Sequence, residues 1–338
     1  MASRGTVFRA AARTMAMLLS LGVVGVARGQ LQVGFYSDSC PDAEDTVTAA
    51  VQDAAGNDPT ILPALLRLQF HDCFVKGCDA SVLIRSASND AEVDNSKNQG
   101  LRGQDVVDAA KAQLEDLCPG VVSCADIIAL AARDAVAMTG GPSFDVPTGR
   151  RDGLTSNLRD ADVLPDAADS ISHLRSSFAA AGLDDRDLVL LTAAHTVGTT
   201  ACFFVKDRLY SYPLAGGGGN NSKTGTDPSI PAAFAAELKA RCPPGDVNTR
   251  LPLDRGSEGE FDDSILRNIR SGLAVIASDA ALATSNATRA LVDAYLSAAA
   301  GSFERDFAVA MVRMGSIGVI TGDDGGEIRD VCSAFNTN

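Results

Sequence analysis

Apolar residues recur at helical spacing in the parts of this chain that have a regular pattern. Val47, Ala50, Val51 and Ala54 stand at positions i, i+3, i+4 and i+7, which is the spacing of one face of an α-helix. Alternating β-branched residues, which would indicate strands, are scarce. The sequence therefore predicts an all-α fold with only minor, short β-strands. A chain of 338 residues is long enough to bury a large core.

The same periodicity, together with signals at the helix ends, predicts several more helices. They run over 61–73, onward from Ser123, through Leu188 to His195 with a stop at Gly198, over 231–242 and over 291–314. Ser123 and Asp126 have the S-x-x-D spacing of a capping box, in which each residue satisfies a backbone N–H of the other. The long connections between helices are typical of loops that are functional or held by disulfides or metals.

The N-terminal segment has the pattern of a secretion signal. Arg4, Arg9 and Arg13 precede an uncharged apolar run, and small residues follow it. The alternatives are a buried helix or a membrane anchor, although the run is too short to span a bilayer comfortably. We therefore expect a signal peptide over residues 1–29 and one domain over residues 30–338, without a membrane segment in the mature form.

Eight cysteines agree with export, because an even number in a secreted chain indicates disulfides. Spacing alone leaves 105 possible pairings open. Zinc is an alternative for Cys73 and Cys78, which lie close to His71. Asn220 and Asn286 begin N-glycosylation sequons.

The net charge of the chain is −14. Residues 1–29 carry four arginines and no acidic residue, so the remainder has 25 basic and 43 acidic residues. This excess of negative charge argues against nucleic acid or an anionic membrane as a partner. We expect a soluble monomer that takes small neutral or cationic substrates.

Two short stretches hold two of the three histidines. In the first, Arg67 and His71 stand four residues apart, so both side chains project from one face of the predicted helix. A neutral imidazole can take a proton from a peroxide and return it to the leaving oxygen. A guanidinium group can stabilise the negative charge that develops, and Phe70 would close such a pocket. The alternative is an ordinary surface pair of arginine and histidine.

His195 occupies the second stretch, at the end of an apolar helix. Neutral imidazole is a common iron ligand, and its other ring nitrogen then needs an acceptor such as a buried carboxylate. The sequence pattern does not indicate which aspartate serves, and a histidine satisfied within the core is the alternative. Together, the two stretches predict a haem iron held by His195, with His71 and Arg67 on its opposite side.

Two acidic loops offer the oxygen ligands that Ca²⁺ prefers. The first contains Asp72, Asp79 and Ser81 with backbone carbonyls near Val75 and Gly77, and the second contains Asp254, Ser257 and Asp262. Either loop taken singly is also compatible with a solvated acidic turn.

These residues belong to a longer, ordered series of motifs. In chain order the motifs are Cys40-Pro41, Arg67-Leu-x-Phe-His-Asp-Cys-Phe-Val75, Gly77-Cys-Asp-Ala-Ser81, Val122-Ser-Cys-Ala-Asp126, Gly149-Arg-Arg-Asp152, Ala194-His-Thr-x-Gly198, Asp207-Arg-Leu-Tyr210 and Ser278-Asp279. In this series the chain resembles the class III family, the secreted haem peroxidases of plants. The resemblance covers nearly all of the chain after residue 29.

The resemblance implies a two-lobed fold with one haem b between a distal and a proximal lobe, and two bound Ca²⁺ ions. It implies Arg67, His71 and Asn98 as the distal catalytic residues. His195 would be the axial iron ligand and Asp279 its carboxylate partner. The implied activity is reduction of H₂O₂ with one-electron oxidation of small phenolic donors, such as those of the cell wall.

Further residues follow from the resemblance. The distal Ca²⁺ ligands would be Asp72, Val75, Gly77, Asp79 and Ser81, and the proximal ligands Thr196, Asp254, Ser257, the carbonyl of Glu260 and Asp262. The implied disulfides are Cys40–Cys118, Cys73–Cys78, Cys124–Cys332 and Cys202–Cys242. Asp126 and Arg150 would form a buried ion pair, and the carbonyl of Pro165 would help to hold the phenolic donor.

The chain departs from the family pattern at Val93, where a basic residue is usual, and in the motif over 261–266. These departures leave open an alternative, a catalytically inactive secreted protein that still binds haem and calcium. An intracellular class I peroxidase is a second alternative. Those relatives use a tryptophan beside the proximal histidine, and this chain has no tryptophan.

Overall fold

The structure is a computed structural model that describes residues 30–214, 224–322 and 325–337. Within these ranges the α-helices are α1 (Ala43–Asn57), α2 (Ile61–Cys73), α3 (Gln104–Leu117), α4 (Cys124–Met138), α5 (Ile171–Ala180), α6 (Asp185–Thr192), α7 (Ala232–Arg241), α8 (Ser264–Arg270), α9 (Ala277–Ala281), α10 (Asn286–Ser297) and α11 (Ser302–Met314). The prediction of a mostly α-helical fold is confirmed. The predicted signal peptide and the sequon at Asn220 lie outside the described residues.

The β-structure consists of short antiparallel pairs. The strands are β1 (Arg150–Arg151), β2 (Thr199–Ala201), β3 (Tyr212–Pro213), β4 (Thr224–Gly225), β5 (Arg250–Pro252) and β6 (Ile320–Thr321). β1 pairs with β6, β2 with β5 and β3 with β4. No helix in the described ranges is both long and apolar enough to cross a membrane.

Helix α2 lies between the two main hydrophobic cores of the described chain. Leu65 and Leu68 belong to the core built with α1, α3 and α4. Leu66 belongs to the core built with α5, α6, α8, α10 and α11. A smaller core surrounds α7. The helix that carries Arg67 and His71 is therefore held by buried apolar side chains on both sides. The two cores form the two lobes of the fold.

The N-terminus of α4 shows one half of the predicted capping box. The hydroxyl of Ser123 accepts a hydrogen bond from the backbone N–H of Asp126, at 3.1 Å. The Asp126 carboxylate does not return to Ser123, because it is held by the guanidinium of Arg150 at 2.6 Å and by the hydroxyl of Tyr36 at 2.6 Å. The capping-box prediction is thus only half right, whereas the ion pair with Arg150 is present and buried.

Two helix predictions need correction. The single helix predicted over 291–314 is two helices, α10 and α11, because Gly301 takes a positive φ of 79° immediately before α11 and interrupts the helical path. The predicted helix through His195 ends earlier, at Thr192. A 3₁₀ turn over Ala193–Thr196 follows it, and this tighter turn carries the histidine.

Four disulfides cross-link the described chain, three of them between distant parts, and their pairings are those that the resemblance implies. They join Cys40 to Cys118, Cys73 to Cys78, Cys124 to Cys332 and Cys202 to Cys242. The third spans 208 residues and ties the C-terminal segment to the start of α4. With both thiols of Cys73 and Cys78 paired to each other, zinc binding at this position is excluded.

Candidate active site

Arg67 and His71 meet on one face of α2, as their spacing predicts. Nε of Arg67 donates a hydrogen bond to Nε2 of His71, at 3.0 Å. The other ring nitrogen, Nδ1, lies 2.6 Å from Oδ1 of Asn98. Nδ2 of Asn98 donates to the carbonyl of Glu92 at 2.6 Å, so Oδ1 is the atom that faces the ring. Nδ1 of His71 therefore carries the proton, and Nε2 presents a lone pair.

The surroundings of His71 keep it neutral. Burial, and then the charge of Arg67, lower the pKa of His71 to about 3 against the opposing effect of the hydrogen bond with Asn98. Burial also lowers the pKa of Arg67, to about 10, with a contribution from Arg250. Near neutral pH the pair is thus a free base beside a permanent cation.

His195, the second histidine of the predicted site, also has a fixed partner, which is a carboxylate. Its Nδ1 is 2.8 Å from Oδ1 of Asp279, which is on α9 and fully buried. Burial alone lowers the pKa of His195, but the Asp279 carboxylate outweighs it, so that the pKa is raised. The His195 side chain is 37% exposed. Among the described residues no group forms a hydrogen bond to its Nε2, which is therefore free to bind a ligand.

Arg67 acts on both histidines. Its charge lowers the pKa of His71 and also opposes protonation of His195. Phe70 is half-buried and packs edge-on against His71, with ring centroids 5.7 Å apart. Arg67, Phe70 and His71, the three pocket residues predicted on α2, thus lie on one face of that helix.

The first acidic loop contains buried oxygen atoms without partners. Both carboxylate oxygens of Asp72, the hydroxyl of Ser81 and both carboxylate oxygens of Glu92 are buried and accept no hydrogen bond from the described residues. Burial, and then the neighbouring Asp79, raise the pKa of Asp72 well above its usual value. This concentration of unpaired oxygen fits a cation. Val75, also predicted here, is fully buried.

Gly77 shapes this loop. It has a φ of 122°, and a Cβ atom at this position would lie 2.5 Å from the carbonyl oxygen of Gly318. Only glycine fits there, which lets the loop pass close to the chain after α11.

The predicted residues of the second acidic loop also lie together, but their oxygen atoms are hydrogen-bonded to one another. Oγ1 of Thr196 lies 2.9 Å from Asp254, 3.3 Å from Asp262 and 3.4 Å from the carbonyl of Glu260. Ser257 donates to Asp262 at 2.6 Å. The Asp254 carboxylate also accepts hydrogen bonds from two residues that the sequence analysis did not identify, Ser264 and Asn268.

Ionisable side chains by themselves do not form a metal site in either loop. In the described part of the chain there is no group of three or more His, Cys, Asp or Glu side chains that could hold a metal. A cation in either loop would thus depend on hydroxyl and carbonyl oxygens as well as carboxylates, which is usual for Ca²⁺.

The loop that carries Pro165 is held by a residue that the sequence analysis also missed. Pro165 is half-buried, and Nζ of Lys97 donates to the carbonyl of the preceding Leu164, at 2.5 Å. The sequence feature that could have indicated this contact was the position of Lys97, directly before Asn98. Lysines in loops are so often solvated that this signal carries little weight by itself.

Comparison with known proteins agrees with this geometry. A family model described as Peroxidase matches residues 47–298. The chain is 50% identical to peroxidase 43 of Arabidopsis thaliana, over 95% of this chain and 98% of that protein. It is 51% identical to peroxidase 13 of the same plant, over 93% and 95%. It is 45% identical to peroxidase N1 of Nicotiana tabacum, over 95% of each chain.

A neutral histidine beside an arginine, together with a second histidine bonded to a buried carboxylate, is the arrangement of a peroxidase. The extent of these matches places the chain more narrowly: it belongs to the class III peroxidases of plants. It is accordingly an oxidoreductase that acts on H₂O₂.

Proposed function

We propose that the chain is a secreted haem peroxidase that reduces H₂O₂ and oxidises small phenolic donors in one-electron steps. The observation that carries this proposal is the pair of histidines with their partners. His71 is neutral and oriented by Asn98, His195 is held by Asp279, and the charge of Arg67 acts on both rings.

The residues fit one haem b. Nε2 of His195 is unpaired and accessible, while Nδ1 is bonded to a buried carboxylate, which is the arrangement that a proximal histidine needs. Phe70 offers an aromatic wall. When bound, the haem would supply the electron transfer to peroxide and from the donor.

His71 would move the proton. Its Nε2 lone pair accepts a hydrogen bond from Arg67 in this structure, and an incoming peroxide would replace that bond with its own O–H. Because the pKa of His71 is lowered to about 3, the imidazole is unprotonated near neutral pH and is free to take the proton. It can then return this proton to the departing oxygen.

Arg67 would stabilise charge. Its guanidinium remains protonated at neutral pH and has no carboxylate partner among the described residues. It can therefore turn toward negative charge that develops as the O–O bond breaks. The phenolic donor would bind beside it, with the carbonyl of Pro165 as one acceptor for its hydroxyl.

Two Ca²⁺ ions would support the two walls. The distal ion would take the unpaired oxygens around Asp72, Asp79 and Ser81 with the carbonyls of Val75 and Gly77. The proximal ion would take the oxygens that surround Thr196. Since Asp72 directly follows His71 and Thr196 directly follows His195, each ion would brace the turn that presents a histidine.

We further propose that residues 1–29 are a signal peptide, and that residues 30–338 form one monomeric domain in the extracellular space or cell wall. Four disulfides support an oxidising compartment. Asn286 is exposed at the start of α10, so its sequon is accessible to glycosylation.

The experiment that tests this function is an absorption spectrum of the haem-loaded protein, before and after one equivalent of H₂O₂, and then after addition of a phenol. We expect a Soret band that shifts within seconds and returns when the phenol is added. A Soret band that peroxide leaves unchanged would favour the inactive haem-binding alternative. Absence of any Soret band would contradict the haem proposal.

Replacing Asp279 by asparagine should slow the reaction with peroxide by about 10-fold to 100-fold, because partners of metal-bound histidines commonly contribute this much. Asparagine keeps an acceptor for Nδ1 but removes the charge, so the reduction potential of the iron should also rise. Stopped-flow absorbance and a redox titration would measure both quantities.

The matched control for Asp279 is Asp169→Asn. Asp169 also lies beside a histidine, but His173 is exposed and 3.9 Å away. Equal behaviour of the two variants would contradict the role of Asp279.

Removing calcium should destabilise the protein in two steps. Among the described residues both carboxylate oxygens of Asp72 and the Ser81 hydroxyl have no hydrogen-bond partner, whereas Asp254 in the proximal loop already accepts three hydrogen bonds. We therefore expect the proximal ion to leave first and the distal ion to bind more tightly. Full removal should lower the melting temperature by roughly 10 °C, the effect of a ligand present far above its Kd.

Titration with a chelator, followed by calorimetry of Ca²⁺ rebinding, would measure the calcium effect. Asp79→Asn should abolish the tight step and Asp254→Asn the weak one. Restoration of stability by Mg²⁺ would be inconsistent with a calcium cage of this kind.

A further inference from the structure

One residue connects the turn that orients His71 to the loop around Leu164 and Pro165, which we call the donor loop. Lys97 lies in the 3₁₀ turn Ser96–Asn98, whose last residue orients His71. Its backbone carbonyl is 3.4 Å from Nη2 of Arg67. Its ammonium group reaches across to the carbonyl of Leu164, at 2.5 Å. The main chain of Lys97 therefore contacts the catalytic arginine, while its side chain holds the residue before Pro165.

The donor loop depends on this contact at a particular point. Leu164 is buried and its N–H donates to the carbonyl of Ala161 at 3.1 Å within the same loop, whereas Pro165 has no backbone N–H with which to anchor itself. The carbonyl between these two residues is thus the group through which the neighbouring turn can hold them. An ammonium donor makes a strong hydrogen bond to a carbonyl, more so when it is only 27% exposed, as that of Lys97 is.

The surrounding contacts do not duplicate this anchor. Asn95 donates to the carbonyl of Leu158 at 2.7 Å and to Asp162 at 2.8 Å, and so secures the earlier part of the loop. Asp166 lies 3.9 Å from the Lys97 ammonium, but it is about half exposed, and such a pair contributes little.

We propose that Lys97 is a positioning residue for the phenolic donor, acting by fixing Leu164 and Pro165 against the turn that carries Asn98. The inference rests on the proposed function, in which the Pro165 carbonyl accepts the donor hydroxyl. Without the ammonium group, Pro165 would move relative to the cleft while His71 and Arg67 keep their own hydrogen bonds. Donor binding should then weaken, and the reaction with peroxide should not.

The experiment compares Lys97→Met with wild type as the haem-loaded full chain, using a neutral monophenol as donor. We expect KM for the phenol to rise about tenfold, in keeping with loss of one charge-assisted hydrogen bond. We expect the rate constant for peroxide, measured by stopped-flow absorbance, to stay within about twofold. Lys97→Arg should restore most of the donor affinity, because arginine also donates from a cation.

The matched control is Lys239→Met. Lys239 lies on α7, is half-buried like Lys97, and its ammonium group donates to the hydroxyl of Thr226 at 2.6 Å. It should leave both quantities unchanged. Lys97→Gln, which keeps a polar donor of shorter reach, serves as a second variant if Lys97→Met folds poorly, and a raised KM is expected there also.

Three results would overturn the inference. An unchanged KM in Lys97→Met would show that the contact does not position the donor. A loss confined to a carboxylated phenol, with the neutral phenol unaffected, would show that Lys97 attracts charge instead. A loss of the peroxide reaction equal to that of the donor reaction would show a general structural role. Failure of wild type to turn over peroxide and phenol would refute the proposed function itself, before any variant is compared.

Discussion

Replacing His71 by leucine should lower kcat/KM for H₂O₂ by about 10²-fold to 10⁴-fold, the range over which a positioned general base contributes. The geometry supports the upper half of this range. Nδ1 is fixed by Asn98 at 2.6 Å, Nε2 presents its lone pair beside Arg67, and burial holds the pKa near 3. Leucine keeps the apolar volume but cannot accept a proton. Stopped-flow absorbance of the haem-loaded protein at several peroxide concentrations would measure the change.

The chain offers a matched control for this variant. His173 lies on α5 with a side chain that is 55% exposed and 3.9 Å from Asp169. His173→Leu should leave kcat/KM for peroxide unchanged. A His71→Leu protein that reacts with peroxide as fast as this control would mean that another group moves the proton, and our assignment of the distal wall would be wrong.

Replacing Asp126 by alanine should lower the free energy of unfolding by about 3–5 kcal/mol, because it would leave the Arg150 guanidinium buried without its counter-charge. Asp126 and Arg150 are both fully buried, and the carboxylate also accepts from Tyr36 at 2.6 Å and from the backbone N–H of Gly149 at 2.7 Å. Burial, and the nearby Asp126, raise the pKa of Tyr36, so its hydroxyl remains a donor. Against a total stability of about 5–15 kcal/mol, this loss is large.

Denaturant unfolding with the disulfides oxidised would measure that loss. The control is Asp293→Ala, which breaks an ion pair of similar length with Arg270 in which both side chains are about half exposed. Exposed pairs contribute about 0–1 kcal/mol, so Asp293→Ala should cost little. Similar losses in the two variants would mean that burial of the Asp126–Arg150 pair is not what makes it important.

Local sequence patterns predicted the bounds of some helices correctly and those of others wrongly. The bounds of α2 agree with the prediction over 61–73, and Arg67 and His71 share its face because i,i+4 geometry is a property of the helix alone. The prediction over 291–314 was wrong, since apolar periodicity continues on both sides of Gly301 and does not reveal its positive φ. Periodicity also did not separate the end of α6 from the 3₁₀ turn that follows.

Local patterns were also insufficient for side chains whose partners lie far along the chain. The S-x-x-D spacing at Ser123 predicted a cap from Asp126, but the carboxylate is held by Tyr36, 90 residues away, and by Arg150. A buried guanidinium binds a carboxylate more strongly than a backbone N–H does, so tertiary contact prevailed over the local motif. Lys97 was missed for the same reason, because its acceptor is 67 residues away.

The sequence by itself determined the helical class of the fold, the shared face of Arg67 and His71, and the residue types that a peroxidase needs. Residue patterns did not indicate which aspartate holds His195; the resemblance implied Asp279, and the tertiary structure brings it to 2.8 Å across 84 residues of chain. Only the tertiary structure decided that Asp72 has oxygens without a partner among the described residues while Asp254 does not. The physical reason is the distance along the chain over which each effect acts. Helix periodicity depends on neighbours a few residues away, whereas burial, charge and hydrogen-bond partners depend on which distant segments pack together.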